Sequence, residues 1–75
     1  MMHPDTLRRE LETAFPGARV SINDLTGTQD HYEVTIVAEA FRGQTRIRQH
    51  KLVYEALGAW MQGPIHALAL KTSAP

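Results

Sequence analysis

The sequence predicts a small α+β fold in which helices cover a three-stranded mixed sheet, with the element order α-β-β-α-α-β. Two kinds of hydrophobic pattern support this prediction. Helical spacing occurs over residues 4–15 and 45–62, and apolar residues alternate or run together over 18–25, 31–40 and 65–71. The 75 residues are 43% hydrophobic and 21% charged, as in ordinary globular proteins. We therefore expect residues 1–75 to form one domain.

The first helix is predicted from Pro4 to Phe15. Proline suits the first helical turn, and Pro16-Gly17 ends the helix. Its apolar side chains follow the i, i+4, i+7, i+8 pattern of an amphipathic helix: Leu7, Leu11, Ala14 and Phe15. We expect this stripe to face the sheet.

The next two segments are predicted to form an antiparallel hairpin. In the first strand, residues 18–25, Val20 and Ile22 share one face. A polar turn at residues 26–30 leads to the second strand, residues 31–40. There one face carries Tyr32, Val34, Ile36 and Ala38, and the other carries His31, Glu33, Thr35 and Val37.

A second helical region follows Phe41-Arg42-Gly43, with Thr45 as its cap. The slip in spacing near His50 predicts a short helix followed by a longer one, ended by Gly63-Pro64. The expected apolar stripe comprises Ile47, Val53, Ala56, Leu57, Trp60 and Met61. A crossover of this length allows the third strand to lie parallel to the second.

The third strand is predicted from Ile65 to about Lys71, with apolar residues on both faces and a frayed tail at residues 72–75. His66 is its one polar residue before Lys71 and lies at the entrance of the strand. The pattern by itself favours a structural histidine there over a ligand.

Three blocks of residues together resemble the BolA-like family. They are Phe41-Arg42-Gly43, the helix Arg-Gln-His-Lys-Leu-Val-Tyr-Glu-Ala-Leu at 48–57, and Ile-His-Ala-Leu-Ala-Leu-Lys-Thr at 65–72. The family pattern is Phe-x-Gly, a His-Arg-x-Val-Tyr-like helix and an Ile/Val-His-Ala strand. The resemblance implies a fold related to the class II KH domain. It also implies a role in iron-sulfur assembly or trafficking with a monothiol glutaredoxin, while some members are described as DNA-binding regulators.

In such a family complex, the histidine of the Ile-His-Ala motif ligates a shared [2Fe-2S] cluster, which here implies His66. The second family ligand is a His or Cys between the first two strands. Thr28 occupies the family's cysteine position and is a poor iron ligand, whereas His31 matches a histidine that many members carry. A water or a partner group is the alternative to His31. Because the chain has no cysteine, any thiolate must come from a partner, such as the glutaredoxin with glutathione.

His50 offers a further imidazole, but a zinc site with His31 and His66 is disfavoured because the chain has no Cys and no HxxxH pair. A structural role for His50 is favoured. The alternative function is DNA binding through the basic segment, defined as Arg42, Arg46, Arg48 and Lys51. Residues 42–51 contain no acid, although the KH-type GXXG loop is missing from the sequence.

No nucleophile or phosphate-loop motif occurs, so we expect no enzymatic activity. No apolar run is long enough to cross a membrane, and the N-terminus lacks a signal pattern. We therefore expect a cytoplasmic protein. The net charge of zero does not predict a nucleic-acid partner by itself, whereas the uneven charge distribution permits one.

Overall fold

The computed structural model describes residues 3–24, 27, 31–62 and 67–75. Its helices and strands are α1 (Pro4–Ala14), β1 (Arg19–Asp24), β2 (His31–Val37), α2 (Arg46–Leu57) and β3 (Ala67–Ser73), with 3-10 helices at Glu39–Phe41 and Gly58–Gln62. The sheet order is β1-β2-β3, antiparallel between β1 and β2 and parallel between β2 and β3. The predicted α+β class and mixed sheet are confirmed. Across the described residues, no helix has the length and apolar character needed to span a membrane.

The central strand β2 carries the core. Its side chains at Tyr32, Val34 and Ile36 are fully buried, and the residues between them are only partly buried. The buried residues pack with Leu7 and Leu11 of α1 and with Val53 and Leu57 of α2. Both α-helices therefore cover the same face of the sheet. We call the other face, which carries His31, the open face.

α1 begins where the sequence predicts it. The His3 side chain caps the helix, because its Nδ1 accepts a hydrogen bond from the backbone N–H of Asp5 at 3.1 Å. Pro4 occupies the first turn, where a missing N–H costs no helical hydrogen bond. At the other end, the Phe15 ring lies 5.2 Å from the Phe41 ring, so the helix end is held against the core.

The prediction that the second strand continues to Ala40 is wrong. β2 ends at Val37, and a 3-10 helix at Glu39–Phe41 follows. A continued alternation after Ala38 would direct Ala40 inward and Phe41 outward. The 3-10 turn changes this direction, so Phe41 is fully buried and Ala40 is exposed. Burial of the larger aromatic surface explains why the strand ends early.

The predicted break near His50 is also wrong. α2 runs without interruption to Leu57, and the chain changes to a 3-10 helix at Gly58, whose φ of +49° favours glycine. The cap is as predicted, since the Thr45 hydroxyl accepts a hydrogen bond from the Arg48 N–H at 3.1 Å. Ile47 does not join the core, being 83% exposed.

The helical wheel explains the exposure of Ile47. It is six residues before Val53, so the two side chains project about 120° apart around the helix axis. Ala56, also predicted in the apolar stripe, is exposed as well. Val53 and Leu57, which are one turn apart, define the face of α2 that is buried.

The predicted frayed tail at residues 72–75 is wrong for its first two residues, which belong to the sheet. Thr72 and Ser73 belong to β3, where they pair with Ile36 and Val37. The Thr72 hydroxyl donates a 2.6 Å hydrogen bond to Gln49 Oε1 on α2. The structure therefore joins the last strand to the helix by a side-chain hydrogen bond that no sequence pattern predicts.

The third strand has apolar residues on both faces, but the described residues cover only one of them. Leu68 and Leu70 are half-buried against the core, whereas Ala69 between them is exposed. The two α-helices of the described residues lie on one face of the sheet, so alternate residues of β3 point to the open face. The predicted start of this strand, including Ile65 and His66, lies outside the described residues.

The difference between the two faces of α2 can be tested by truncation. We expect Leu57→Ala to lower the free energy of unfolding by about 2–5 kcal/mol, because it removes a fully buried side chain. Ile47→Ala, on the exposed face of the same helix, is expected to change it by less than about 0.5 kcal/mol. Urea unfolding followed by circular dichroism measures both. Equal losses for the two variants would contradict the assigned orientation of α2.

Candidate functional site

The first predicted ligand, His31, is the first residue of β2. It lies on the open face and is half-buried. The parallel register pairs it with Ala67, the first residue of β3. Because parallel strands run in the same direction, the entrances of β2 and β3 lie side by side at one edge of the sheet. This edge, defined by His31 and Ala67, is the candidate metal-binding edge.

The other predicted ligand, His66, lies outside the described residues, and so does Thr28, which occupies the family's cysteine position. Among the residues that the structure does describe, no group of three or more His, Asp or Glu side chains lies close enough to hold a metal ion. The described part of the edge thus supplies one imidazole. A cluster there needs further ligands, and any thiolate among them must come from another molecule because the chain has no cysteine.

His50 lies away from the candidate metal-binding edge. It is half-buried on α2 and lines a cavity with Leu70, Lys71 and Thr72 of β3. Leu70 is three residues beyond Ala67, which is about 10 Å along an extended strand. The described structure therefore gives no support to the alternative zinc site that combines His50 with His31 and His66.

The basic segment divides into two groups. Arg46, Arg48 and Lys51 are exposed on α2, and none of them forms an ion pair with a described acidic side chain. Arg42 lies before α2, and its guanidinium is already hydrogen-bonded within the protein. Its Nε and Nη2 donate to the two carboxylate oxygens of Glu39 at 2.6 and 3.1 Å. Nη2 also donates to the carbonyl oxygen of Pro75 at 3.0 Å.

The Arg42–Glu39 pair changes the titration of both groups. The hydrogen bonds from the Arg42 guanidinium and its positive charge lower the pKa of Glu39 below 4.5. The same contact raises the pKa of Arg42. Because its charge is already paired, Arg42 is less available to a phosphate than the three basic residues on α2.

Sequence reasoning missed two features of α2. The side chains of Ile47 and Tyr54 are 83% and 42% exposed. The two residues are seven positions apart, so they lie on similar sides of the helix, with Lys51 between them. The i, i+4, i+7 spacing of Ile47, Lys51 and Tyr54 indicates a shared helix face, whereas the sequence pattern predicts Ile47 in the core. The cavity beside His50 was also missed, because it joins residues of α2 and β3 that are twenty or more positions apart in the chain.

Similarity to known proteins identifies the family of this chain. A family model described as BolA-like protein matches residues 7–75. The chain belongs to the BolA-like family. It is 38% identical over 68 residues to an uncharacterised protein of Rickettsia prowazekii, covering 91% of this chain and 88% of that protein. The solved structure of a bolA protein homologue from Coxiella burnetii is 39% identical, with a TM-score of 0.84, covering all of this chain and 94% of that one.

Some BolA relatives are named for a function. The DNA-binding transcriptional regulator BolA of Escherichia coli is 27% identical to this BolA-like chain over 79 residues, covering 96% of the chain and 75% of the regulator. The mammalian relatives, named BolA-like protein 1, are longer: the aligned part covers 36% of their length. The comparisons confirm the family that the three sequence blocks predict, and the solved BolA structure shares the α+β fold of this chain.

The pairing of Arg42 with Glu39 predicts how a substitution changes the pKa of Glu39. We expect Arg42→Gln to raise the pKa of Glu39 toward 4.5, because the substitution removes both the charge and the hydrogen-bond fork. An NMR pH titration of the Glu39 side-chain carboxyl measures the shift, and Arg46→Gln serves as a charge-matched control that should leave it unchanged. An unchanged Glu39 pKa in the Arg42 variant would contradict the pairing.

The sign of the accompanying stability effect follows from linkage. A carboxyl whose pKa is lower in the folded state stabilises that state above its unfolded pKa, and this contribution is lost as the pH falls through the folded value. The part of the stability difference between the parent protein and Arg42→Gln that comes from the pairing with ionised Glu39 should therefore be present above pH 4.5, and it should be lost as the pH falls through the lower pKa of Glu39 in the folded state.

Proposed function

We propose that this BolA-like protein is a non-enzymatic, cytoplasmic adaptor that binds a [2Fe-2S] cluster jointly with a monothiol glutaredoxin and glutathione. Its own ligands in this proposal are His66 and His31. The observation that best supports it is the parallel register that places His31 opposite Ala67. Residue 66 is bonded directly to Ala67, and one peptide unit spans about 3.8 Å between Cα atoms. Chain connectivity thus limits how far His66 can be from the candidate metal-binding edge.

The ligand chemistry is consistent with a shared site. A [2Fe-2S] cluster has four terminal ligand positions, which are usually cysteine thiolates, and two imidazoles can replace two thiolates on one iron. Two histidines from this chain would leave two positions to fill. The thiolate of a single glutaredoxin cysteine and the thiolate of glutathione would fill them. Because the chain has no cysteine, it cannot supply any of the thiolate ligands of such a cluster.

The position of His31 also suits an exchangeable cluster. It lies on the open face at a strand entrance, and it is half-buried rather than enclosed in the core. A partner can approach this edge without disturbing the packing of Tyr32 and Val34, which point to the opposite face. Imidazole must be neutral to bind metal, so we expect histidine ligation to weaken at acidic pH.

Reconstitution with a partner tests this proposal. The protein is mixed with a monothiol glutaredoxin, glutathione, ferrous iron and sulfide, and the complex is isolated by size exclusion and examined by visible circular dichroism. We expect a heterodimer whose spectrum differs from that of the glutaredoxin cluster alone, since imidazole ligation alters the iron electronic structure. His66→Ala should abolish this difference, and His31→Ala should change it.

His50→Ala is the matched control for the reconstitution, because His50 is half-buried like His31 but lines a different part of β3. Its spectrum should match that of the parent protein. An unchanged spectrum for His66→Ala would remove His66 from the ligand set and reject the proposed site. If only His31→Ala is silent, a water or partner group takes the second position.

We propose DNA binding as a second candidate function. The specific observation in its favour is the group of three exposed cations on α2, Arg46, Arg48 and Lys51, with no ion pair to a described acid. Such side chains contact phosphates and release counterions. The Escherichia coli relative named as a DNA-binding transcriptional regulator provides the family precedent. Arg42, paired with Glu39, has a smaller part in this proposal than the sequence suggests.

The salt dependence of duplex binding tests the second function. If Arg46 and Arg48 each neutralise one phosphate, the double substitution to Gln should reduce the slope of log K against log salt by about 1.8. The control is the same double substitution at Arg9 and Arg19, two exposed arginines on α1 and β1. Equal effects of the two double variants, or no binding by the parent protein at low salt, would reject α2 as a DNA-binding surface.

A further inference from the structure

We propose that the outer side of β3 is a docking site for an acidic, extended segment of a partner protein, which pairs with this strand as a fourth strand of the sheet. The site is the cavity between β3 and α2, with a volume of about 370 Å³, and we call it the β3 groove. It is lined by Arg46, His50, Leu70, Lys71 and Thr72. The candidate metal-binding edge lies at the other end of β3, so the proposal does not depend on the cluster-sharing function.

The outer side of β3 presents backbone groups that no strand pairs with. Among the three described strands, β3 has β2 as its only neighbour. The Ser73 carbonyl points to β2, because it accepts a hydrogen bond from the Ala38 N–H at 3.0 Å. This direction alternates along a strand, so Leu68, Leu70 and Thr72 direct their backbone N–H and C=O groups outward. No hydrogen bond between described residues uses those groups.

The lining of the β3 groove shows that this edge is accessible. Leu70, Lys71 and Thr72 are consecutive, yet all three border one volume. Because neighbouring side chains of a strand point to opposite faces, consecutive residues share a cavity only along the edge of the strand. The Lys71 side chain itself lies on the open face, where its Nζ is 3.9 Å from Oε1 of Glu33. The groove therefore runs along the backbone of β3.

The sequence of β3 does little to protect this edge. Exposed sheet edges are usually protected by charged side chains, prolines, bulges or a covering element. Over residues 67–73, Lys71 is the one charged residue and no proline occurs. The pairing with β2 runs through all seven residues without a bulge. A long and regular edge of this kind is suited to pair with an extended peptide.

The charges beside the β3 groove select an acidic segment. On the helix side, Arg46 borders the groove and forms no ion pair with any described acid. On the open face, the contact of Lys71 with Glu33 is long and exposed, so it is weak and leaves most of the lysine charge available. Neighbouring residues of an added strand point to these two faces in turn. Two consecutive acidic residues can therefore meet Arg46 and Lys71 at the same time.

The flank of α2 extends the groove with an apolar side chain. Tyr54 is one helical turn after His50, so the two residues share a flank, and Tyr54 is 42% exposed. A step of four residues along a helix advances about 6 Å. A step of two residues along a strand advances about 6.8 Å, which is nearly the same distance. An added strand that directs an acid toward His50 can thus direct an apolar side chain, two residues away, toward Tyr54.

Gln49 fixes the two walls of the groove. Its Oε1 accepts the Thr72 hydroxyl at 2.6 Å, while its Nε2 donates to the carbonyl oxygens of Phe41 and Gln44 at 3.1 and 3.0 Å. The side-chain amide thus ties β3, α2 and the loop before α2 together. A groove held in this way loses little conformational freedom when a peptide binds, which favours affinity.

Other occupants match the β3 groove less well. A second copy of this chain would place Lys71 near its own counterpart, because β3 carries no acid, and like charges across paired strands are unfavourable. A nucleic acid supplies phosphate oxygens for Arg46 and Lys71. It has no regular row of N–H donors for the outward carbonyls of Leu68, Leu70 and Thr72. A peptide with consecutive acids satisfies both the charges and the backbone.

The peptide acetyl-Thr-Val-Thr-Val-Asp-Glu-Thr-amide tests the proposal in an NMR titration of the whole protein. It has two adjacent acids, a valine two residues before the second acid, and strand-forming residues elsewhere. We expect saturable shifts and slower hydrogen exchange at the outward N–H groups of Leu70 and Thr72. The N–H of Lys71, which points to β2, should keep its exchange rate. The control peptide with Lys-Lys in place of Asp-Glu should not saturate.

Two N-methylated isomers of the acidic peptide test the backbone pairing without any change to the protein. Methylation of alternate residues removes the N–H donors along one edge of the peptide strand, and each isomer carries one of the two alternate sets. The isomer that lacks the donors facing β3 should not bind, whereas the other should bind. The same affinity for both isomers would overturn the proposal.

Charge variants of the protein test the selection of acids. Arg46→Gln and Lys71→Gln should each weaken binding of the acidic peptide about two- to fivefold, as loss of an exposed ion pair does. Arg48→Gln is the matched control, because this residue projects about 200° away from Arg46 around the helix axis and should leave the affinity nearly unchanged. Equal effects of the three substitutions would contradict the proposed site.

Two further arms separate the other occupants. Protection of the Leu70 and Thr72 amides that rises with protein concentration, without any peptide, would assign the edge to a second copy of this chain. A DNA oligonucleotide that shifts these amides while the acidic peptide does not saturate them would assign the groove to nucleic acid. Either result would reject the peptide site.

Discussion

The packing of the central strand against both α-helices is the interaction on which this structure depends. Of the three strands that the structure describes, β2 is the one with neighbours on both sides, and its three largest inward side chains, Tyr32, Val34 and Ile36, are fully buried. They contribute a large share of the apolar surface removed from water, which is the main favourable term in folding. In a chain of 75 residues, little other core exists to replace them.

This one-sided core decides where ligands can bind. Because β2 buries alternate residues, His31 must lie on the face that the helices leave open, next to the start of β3. The same packing fixes the rotation of α2. With Val53 and Leu57 turned inward, Arg48, Lys51 and Ile47 remain outside, and Arg46 and His50 border the cavity beside β3. The candidate metal-binding edge and the cavity beside His50 are thus separate consequences of one buried strand.

Much of the function-related surface is organised by a few polar contacts around the helix. Gln49 connects Thr72 of β3 to the loop that precedes α2, and Glu39 engages Arg42. The first contact holds β3 against α2 beside the cavity. The second pairs Arg42 with an acid, so one cation of the basic segment is less available to a ligand. The family comparisons agree with the fold on which these contacts depend, since the match extends over residues 7–75.

The sequence by itself determined the elements whose signals are local. Period-two burial in β2, the Pro4 start of α1 and the Thr45 cap are all read from neighbouring residues, and the three family blocks identified the BolA-like fold. The role of His66 stays a prediction. Only the tertiary structure decided that Ile47 is exposed, that the chain turns at Glu39 to bury Phe41, and that Thr72 joins the sheet. Each of these outcomes depends on competition for one small core or on contacts between residues distant in the chain, and neither is encoded in local spacing.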